Sequence, residues 1–391
     1  MEKRKAVSSK ERRASKEENE IIFKAITPYV TEAILNNPKK MNHLTLNMLC
    51  LMTDKLVQWN KDKATAPRVI IMIGQGGVAF CSGGDMKGLY HCYLGIKAKY
   101  YQPTFVGNLY RMDMNLARMA PIHVAIWNGY VYGSGAGMCM RAPFTIATDE
   151  TSWGMPECIA GFIPDNGSSH FFSHLKGGNL PMGLYLAVTG VKISGKDIAR
   201  WGICSHYVPK DNIERLKADL YSITGANTTI GDVGKVIEKF ADNDIMHELP
   251  EYFEIVQEIF KPDSIQETIK RLNSYPNQEL PFIKEAQSLI QKNSPLCMAL
   301  IFELVKLGKF MTVEESLQMD FRVTQALLNF PDYLAGVHRL LVTKDHSQTP
   351  NWQFKSVNDI NQGILDYFMK YPIYNDMSLP SVEAARFRWK L

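Results

Sequence analysis

The chain has 391 residues, 46% hydrophobic and 21% charged, with a net charge of +4. That is enough apolar material for a large core, in two domains or one domain with an appendage. So mild a basic excess argues against non-specific nucleic-acid binding, and no apolar run is long enough to cross a bilayer.

In chain order, the first segment differs in kind from the rest. From Met1 to Lys16 there are seven Lys/Arg and two Glu, and Val7 is the one sizeable aliphatic residue. Such a stretch buries too little apolar surface to offset its ordering entropy, so residues 1–20 are expected to be a disordered basic tail. Two readings stand open for it: part of a mitochondrial targeting signal, or a tail that docks on a partner. Ordered structure is expected from Ile21. Ile21–Ala25 and Val30–Leu35 read as strands around a turn at Pro28, and a helix fits Thr45–Trp59, with Met48, Leu49, Met52, Leu56 and Trp59 on one face. Val69–Ile73 is a buried-strand run between Pro67 and Gly74; Val124–Trp127 leads into Gly129, Gly133, Gly135 and Gly137, and Phe144–Ala147 gives another strand. Strands that run into glycine loops imply an α/β domain with functional loops at strand ends, over 21–212.

Beyond residue 213 the pattern turns helical. Glu214–Leu220, Val233–Phe240, Phe253–Ile259, Ile265–Leu272, Ile283–Gln291, Cys297–Leu307 and Leu317–Leu328 carry helical periodicity. This predicts a helical C-terminal domain over 213–350. Residues 351–391 carry scattered aromatics without a period and read as an irregular tail.

Several motifs lead nowhere. The seven cysteines never form C-x-x-C, which points to a reducing compartment and against a disulfide framework or a cysteine zinc site. His247-Glu248 lacks the second histidine of H-E-x-x-H, and no metal is expected. Gly133-x-Gly135 has Met138 where a dinucleotide fold needs its third glycine. Gly190–Lys196 fits G-x-x-x-x-G-K, but Asp197 follows instead of Ser/Thr; Ser194–Asp197 reads better as the capped start of a helix.

Three segments carry chemistry: Ala79-Phe80-Cys81-Ser82-Gly83-Gly84-Asp85-Met86, the loop Gly129–Gly137, and Met155-Pro156-Glu157 continuing through Gly161-Phe162-Ile163-Pro164-Asp165-Asn166-Gly167. Two glycine-rich loops after strands can aim backbone N–H groups at one point and bind a thioester oxygen. A carboxylate beside that point can then act as base or nucleophile.

On these residues the chain resembles the crotonase superfamily, and within it the 3-hydroxyisobutyryl-CoA hydrolases, marked by M-P-E-x-x-x-G-x-x-P-D, here Glu157 and Asp165. The likeness runs from about Ile21 to Trp352. It includes Asn37-Pro38-Lys39-Lys40-Met41-Asn42, Met319-Asp320-Phe321-Arg322-Val323-Thr324-Gln325 and Lys344-Asp345. The resemblance implies a spiral of repeated β-β-α units with a helical C-terminal region. It implies hydrolysis of a short-chain 3-hydroxyacyl-CoA in mitochondria, with the CoA thioester as substrate and no cofactor. By resemblance the N–H groups of Gly84 and Ser134 form the oxyanion hole and Glu157 is the catalytic carboxylate. Asp165 contacts the acyl hydroxyl or assists proton transfer. The resemblance also implies that Lys39, Asn42, Ser82, Gly83, Asp85 and Gly133 line the CoA and substrate site. Asp85 has a second reading as a cap for the following helix, and His170 and His174 read as partly buried helix residues without a role.

The chain also departs from that family's pattern. Ser134 stands in a glycine run, Leu109 precedes Tyr110 where a Glu is usual, Gly167-Ser168-Ser169 replaces three glycines, and Ala335-Gly336-Val337-His338 replaces E-G-V-R. A weakened site on a kept fold suits a second expectation: a structural subunit of the mitochondrial ribosome's small subunit, reaching RNA and proteins through its tails. Self-association is left open.

Overall fold

The computed structural model describes residues 20–345 and 349–372. The N-terminal tail, and all but the first part of the C-terminal one, lie outside them. Among the described residues, no helix is long and apolar enough to cross a membrane.

Among the described residues, ten strands form two sheets. Strands β1 (Ile21–Ala25), β2 (Val30–Leu35), β3 (Val69–Gly74), β5 (Ile122–Trp127), β7 (Phe144–Ala147) and β10 (His206–Tyr207) make the larger, in the order β1-β2-β3-β5-β7-β10. All its pairs are parallel except the β1–β2 hairpin. Strands β4 (Ala79–Cys81), β6 (Tyr130–Tyr132), β8 (Ser152–Gly154) and β9 (Ile193–Ser194) make the smaller sheet in sequence order. The chain therefore winds through three like turns: β3-β4, β5-β6 and β7-β8, each followed by helix. This is the crotonase-type spiral. Each turn sends one strand to the large sheet, a second to the small one, and then enters a loop that starts a helix.

Burial explains the continuous apolar runs. In β3, Val69 and Ile71 face one core, while Ile70 and Met72 face the other. Helices Ile213–Tyr221 and Ile230–Glu238 cover the outer face of the large sheet through Leu216, Leu220, Val233 and Ile237. The helical region is thus packed into the spiral, and one core links Ile21 to Phe368. The helix Leu46–Lys61 starts where Thr45 accepts a hydrogen bond from the Met48 N–H, one residue inside the predicted start.

Three local readings change. Ser194 lies in β9 and does not cap a helix; the short helix Asp197–Arg200 follows Lys196 without a side-chain cap. The stretch after Trp352 contains the helix Gln362–Met369, whose Phe368 packs edge-on to Phe330 at 5.2 Å. Its short apolar face, Leu365 and Phe368, gave too little periodicity to read alone. His174 is exposed, stacked on His170 at 4.0 Å, because the helix Ser168–Ser173 ends before it.

Candidate active site

The site grows from three strand ends. After β4, Ser82–Asp85 forms a loop zipped to the 37–44 segment: the Ser82 N–H donates to Met41 O at 3.0 Å, and Leu44 N–H to Gly83 O at 2.8 Å. After β6, Gly133 adopts φ 52, ψ −129 and opens the one-turn helix Ser134–Gly137. The two loops touch. A Cβ on Gly83 would lie 3.2 Å from Tyr132 O and 3.7 Å from Ser134 N, and one on Gly84 would lie 3.4 Å from Ser134 Oγ. Among the described residues, no backbone acceptor takes the Gly84 or Ser134 N–H. Ser134 itself has helical backbone, so the left-handed turn that demands glycine is carried by Gly133 alone.

After β8, the 3₁₀ turn Glu157–Ala160 places a carboxylate against these loops. A Cβ on Gly133 would come within 2.7 Å of Glu157 Oε1. Glu157 Oε2 is shielded from solvent and without a hydrogen-bond partner. That desolvation pushes its pKa up to about 8. The turn is clamped from behind by the helix Pro331–Val337. Gly336 packs on the Ala160 backbone and Gly161 on Asp332 O, so close that a Cβ at either would sit 2.3 or 2.2 Å from backbone atoms. The motif glycine Gly161 is also left-handed, at φ 68.

Asp165 is buried (4% exposed). Its Oδ2 accepts a hydrogen bond from Tyr110 OH at 3.1 Å and lies 3.5 Å from Thr324 Oγ1. Burial, and after it the charges of Glu157, Asp320 and Asp113, push its pKa well above the ordinary carboxylate range. The loop beyond is held on both sides. Asn166, at φ 64, donates to Asp113 and accepts from Arg141 at 2.5 Å, and Arg141 pairs with Asp113 at 2.8 Å. The Gly167 N–H and Ser169 Oγ donate to Asp320 at 2.8 and 2.9 Å.

Of the residues expected at the site, Gly83, Gly84, Gly133, Ser134 and Glu157 converge, and Asp165 lies near enough for its charge to couple with that of Glu157. Asn42 does not offer its side chain: it is fully buried, donating to Gln75 O and Ala79 O and accepting from Asn37 N–H. It fixes the turn beside the loop instead. The Asp85 carboxylate is spent as a cap on Gly88 N–H and on Lys97 and Tyr101, at 2.9, 2.8 and 2.6 Å. Burial raises its pKa, and these donors outweigh that and leave it lowered. Lys39 is exposed on the turn Pro38–Lys40 and Ser82 is half-buried at the loop's start. An open groove of about 840 Å³ between Gln266, Lys270, Trp352 and Lys355 contains none of these residues. The candidate site is therefore distinguished by its backbone donors and carboxylates rather than by its size.

The reading by motif overlooked Tyr110, Asp113, Arg141, Ser316, Asp320 and Thr324, the hydrogen-bonded frame around Asp165 and its loop. Asp320 and Thr324 stood inside a quoted motif, and the available signal was their four-residue spacing among apolar neighbours on a helix. The departures from the family pattern are accommodated. Ser168 donates to Pro164 O at 2.7 Å, Ser169 bonds Asp320 and Ser316, and Leu109 is buried in the core. His338 is exposed against Tyr90, and Ala335 is half-buried.

The fold and this site define a crotonase-type protein. The chain belongs to the enoyl-CoA hydratase/isomerase family, whose pattern matches residues 30–369. Among characterised proteins it is similar to the mitochondrial 3-hydroxyisobutyryl-CoA hydrolase of Danio rerio, 29% identical over 358 residues and covering 90% of each chain. It is 30% identical to that of Dictyostelium discoideum, over 89% of this chain and 91% of the other. Among solved structures it resembles a carnitinyl-CoA dehydratase from Mycobacterium thermoresistibile (TM-score 0.78, 25% identity, 93% and 99% of the two chains). An enoyl-CoA hydratase from Rhodobacter sphaeroides shares the fold (TM-score 0.75, 23% identity, 90% and 97%).

Proposed function

We propose that this protein hydrolyses short-chain acyl-CoA thioesters of the 3-hydroxyisobutyryl-CoA type, in mitochondria. The observation that carries this reading is the desolvated Glu157 carboxyl lodged against Gly133, where the Gly84 and Ser134 N–H groups stand without backbone acceptors. The thioester oxygen takes both N–H groups, which stabilise the oxyanion as the tetrahedral intermediate forms. Glu157, once ionised, removes a proton from water or attacks the acyl carbon itself. Asp165 faces the acyl hydroxyl or the departing group.

The relatives' names support the substrate class and the compartment. The rival role in a ribosomal particle leans on the basic N-terminal segment, outside the described residues.

The test is thiol release by the purified protein from 3-hydroxyisobutyryl-CoA, isobutyryl-CoA and acetyl-CoA, with Glu157→Gln as control and mitochondrial fractionation alongside. Turnover is expected with the branched hydroxyacyl substrate and not with the variant. No release from any of the three thioesters, in a protein that sediments with ribosomal particles, overturns the reading. Single turnover in ¹⁸O-water separates the two roles of Glu157, since only attack by the carboxylate leaves label in the protein.

A further inference from the structure

The helix Val313–Leu327 presents Ser316, Asp320 and Thr324, four residues apart and all buried, to the loop that bears Asp165. Each grips a different point. Ser316 Oγ lies 2.6 Å from Ser169 Oγ and accepts from His170 N–H at 3.1 Å. Asp320 accepts from Gly167 N–H and Ser169 Oγ. Thr324 Oγ1 lies 3.5 Å from Asp165 Oδ2 and 3.1 Å from Tyr110 OH, which itself donates to that same Oδ2 at 3.1 Å.

We propose that Tyr110 and Thr324 are positioning residues that occupy Asp165 Oδ2, so that Oδ1 is the oxygen that holds and delivers the proton in hydrolysis. This rests on the hydrolase reading above. A neutral carboxyl has one acceptor oxygen and one O–H oxygen. With hydroxyl partners gathered at Oδ2, that oxygen serves as acceptor and the proton resides on Oδ1. The surroundings favour the neutral form. Glu157 comes from the turn after β8, Asp113 and Tyr110 from the helix Tyr101–Ala117, and Asp320 and Thr324 from the helix Val313–Leu327. Arg141 is the cation among them, and it is engaged with Asp113 and Asn166 O.

The proton count closes. Glu157 takes a proton from water as the water oxygen bonds to the acyl carbon, and the C–S bond then breaks. Asp165 Oδ1–H protonates the sulfur, and Glu157 passes its proton to Asp165, restoring both groups.

The experiment pairs turnover with the ¹³C carboxyl signal of Asp165 across pH, in protein labelled at aspartate and assigned with Asp165→Asn. Thr324→Val and Tyr110→Phe are each expected to lower kcat about tenfold, the fold-change of one hydrogen bond, with KM little changed. Both move the Asp165 titration to higher pH, because each removes a partner of the ionised form. Thr324→Ser restores rate and titration. The Thr324 pair, close in size, keeps the test open should Tyr110→Phe fold poorly. An unshifted Asp165 signal in both variants, a shift without loss of kcat, or a lower Tm with an unmoved titration overturns the proposal. If the wild type hydrolyses no acyl-CoA, the functional reading fails, and the carboxyl signal still reports the hydrogen bonding on its own.

Discussion

Glu157 and Asp165 stand eight residues apart in the chain, yet the molecule treats them as opposites. Glu157 sits on a 3₁₀ turn packed against Gly336, Asp332 and Ser294 through its other residues, with one of its own carboxyl oxygens desolvated and unpartnered. Asp165 is tied through its side chain to Tyr110 and Thr324, and its loop is pinned by Asp113, Arg141 and Asp320. With Oε2 unpartnered, one oxygen of the Glu157 carboxyl stays open to substrate or water. A carboxyl held by hydroxyls is oriented. One fold runs two roles by giving two like groups different neighbours.

The sharpest way to break this comparison is to neutralise the free carboxyl. Glu157→Gln is expected to cut hydrolysis by roughly a thousandfold, the scale of general acid–base catalysis, while CoA binding persists. Thiol release and calorimetric binding of CoA measure the two. Retained turnover would place the chemistry elsewhere.

Next in size is the support beneath Asp165. Arg141→Met leaves Asp113 buried without its guanidinium and should cost about 3–5 kcal/mol of stability, measured by denaturant unfolding. A cost within about 0.5 kcal/mol, the range of surface changes, would mean that the loop does not lean on this pair.

The contrast also has a pH signature. Glu157 has its folded pKa raised from 4.5 to about 8. A raised carboxyl stabilises the folded state relative to the unfolded one below 4.5, and that contribution is lost as pH rises toward 8. Glu157→Gln should therefore gain Tm over the wild type progressively between those limits. Activity runs the other way: kcat/KM is expected to rise through the same window as Glu157 loses its proton, and its coupling to Asp165 broadens the step. Equal Tm for the two proteins at pH 5 and pH 8 would show that Glu157 is solvated.

The smallest effect concerns the serine in the glycine run. Ser134→Gly should change kcat by less than about threefold, since Ser134 has helical backbone and the strained angle belongs to Gly133. Gly133→Ala, by contrast, sets a Cβ 2.7 Å from Glu157 Oε1 at positive φ, and should lose most activity. The pair, assayed together, tells backbone need from motif habit.

How far the chain could be read without its fold follows from these same residues. Val69–Ile73, Phe144–Ala147 and Phe253–Ile259 were legible because their apolar runs and spacing are local properties. The three glycine-bearing segments were legible for the same reason, since a turn announces itself in the residues that make it. Asn42 and Asp85 show where this stops. Both lie in segments that form the site's rim, but their side chains are consumed inside the protein, and no neighbour in sequence says so.

The sequence by itself determined the alternation of strand and helix, the loops that can turn backbone N–H groups outward, and the two carboxylates eight apart. Only the tertiary structure decided which carboxylate keeps an oxygen unpartnered and which is held by hydroxyls. It brought Thr324 from 159 residues away to Asp165, set Gly336 against Ala160 in the Glu157 turn, and placed the positive φ of the glycine run at Gly133. The reason is that desolvation and charge coupling depend on what is near in space, and a carboxyl's partners arrive from elements that pattern and period describe one at a time.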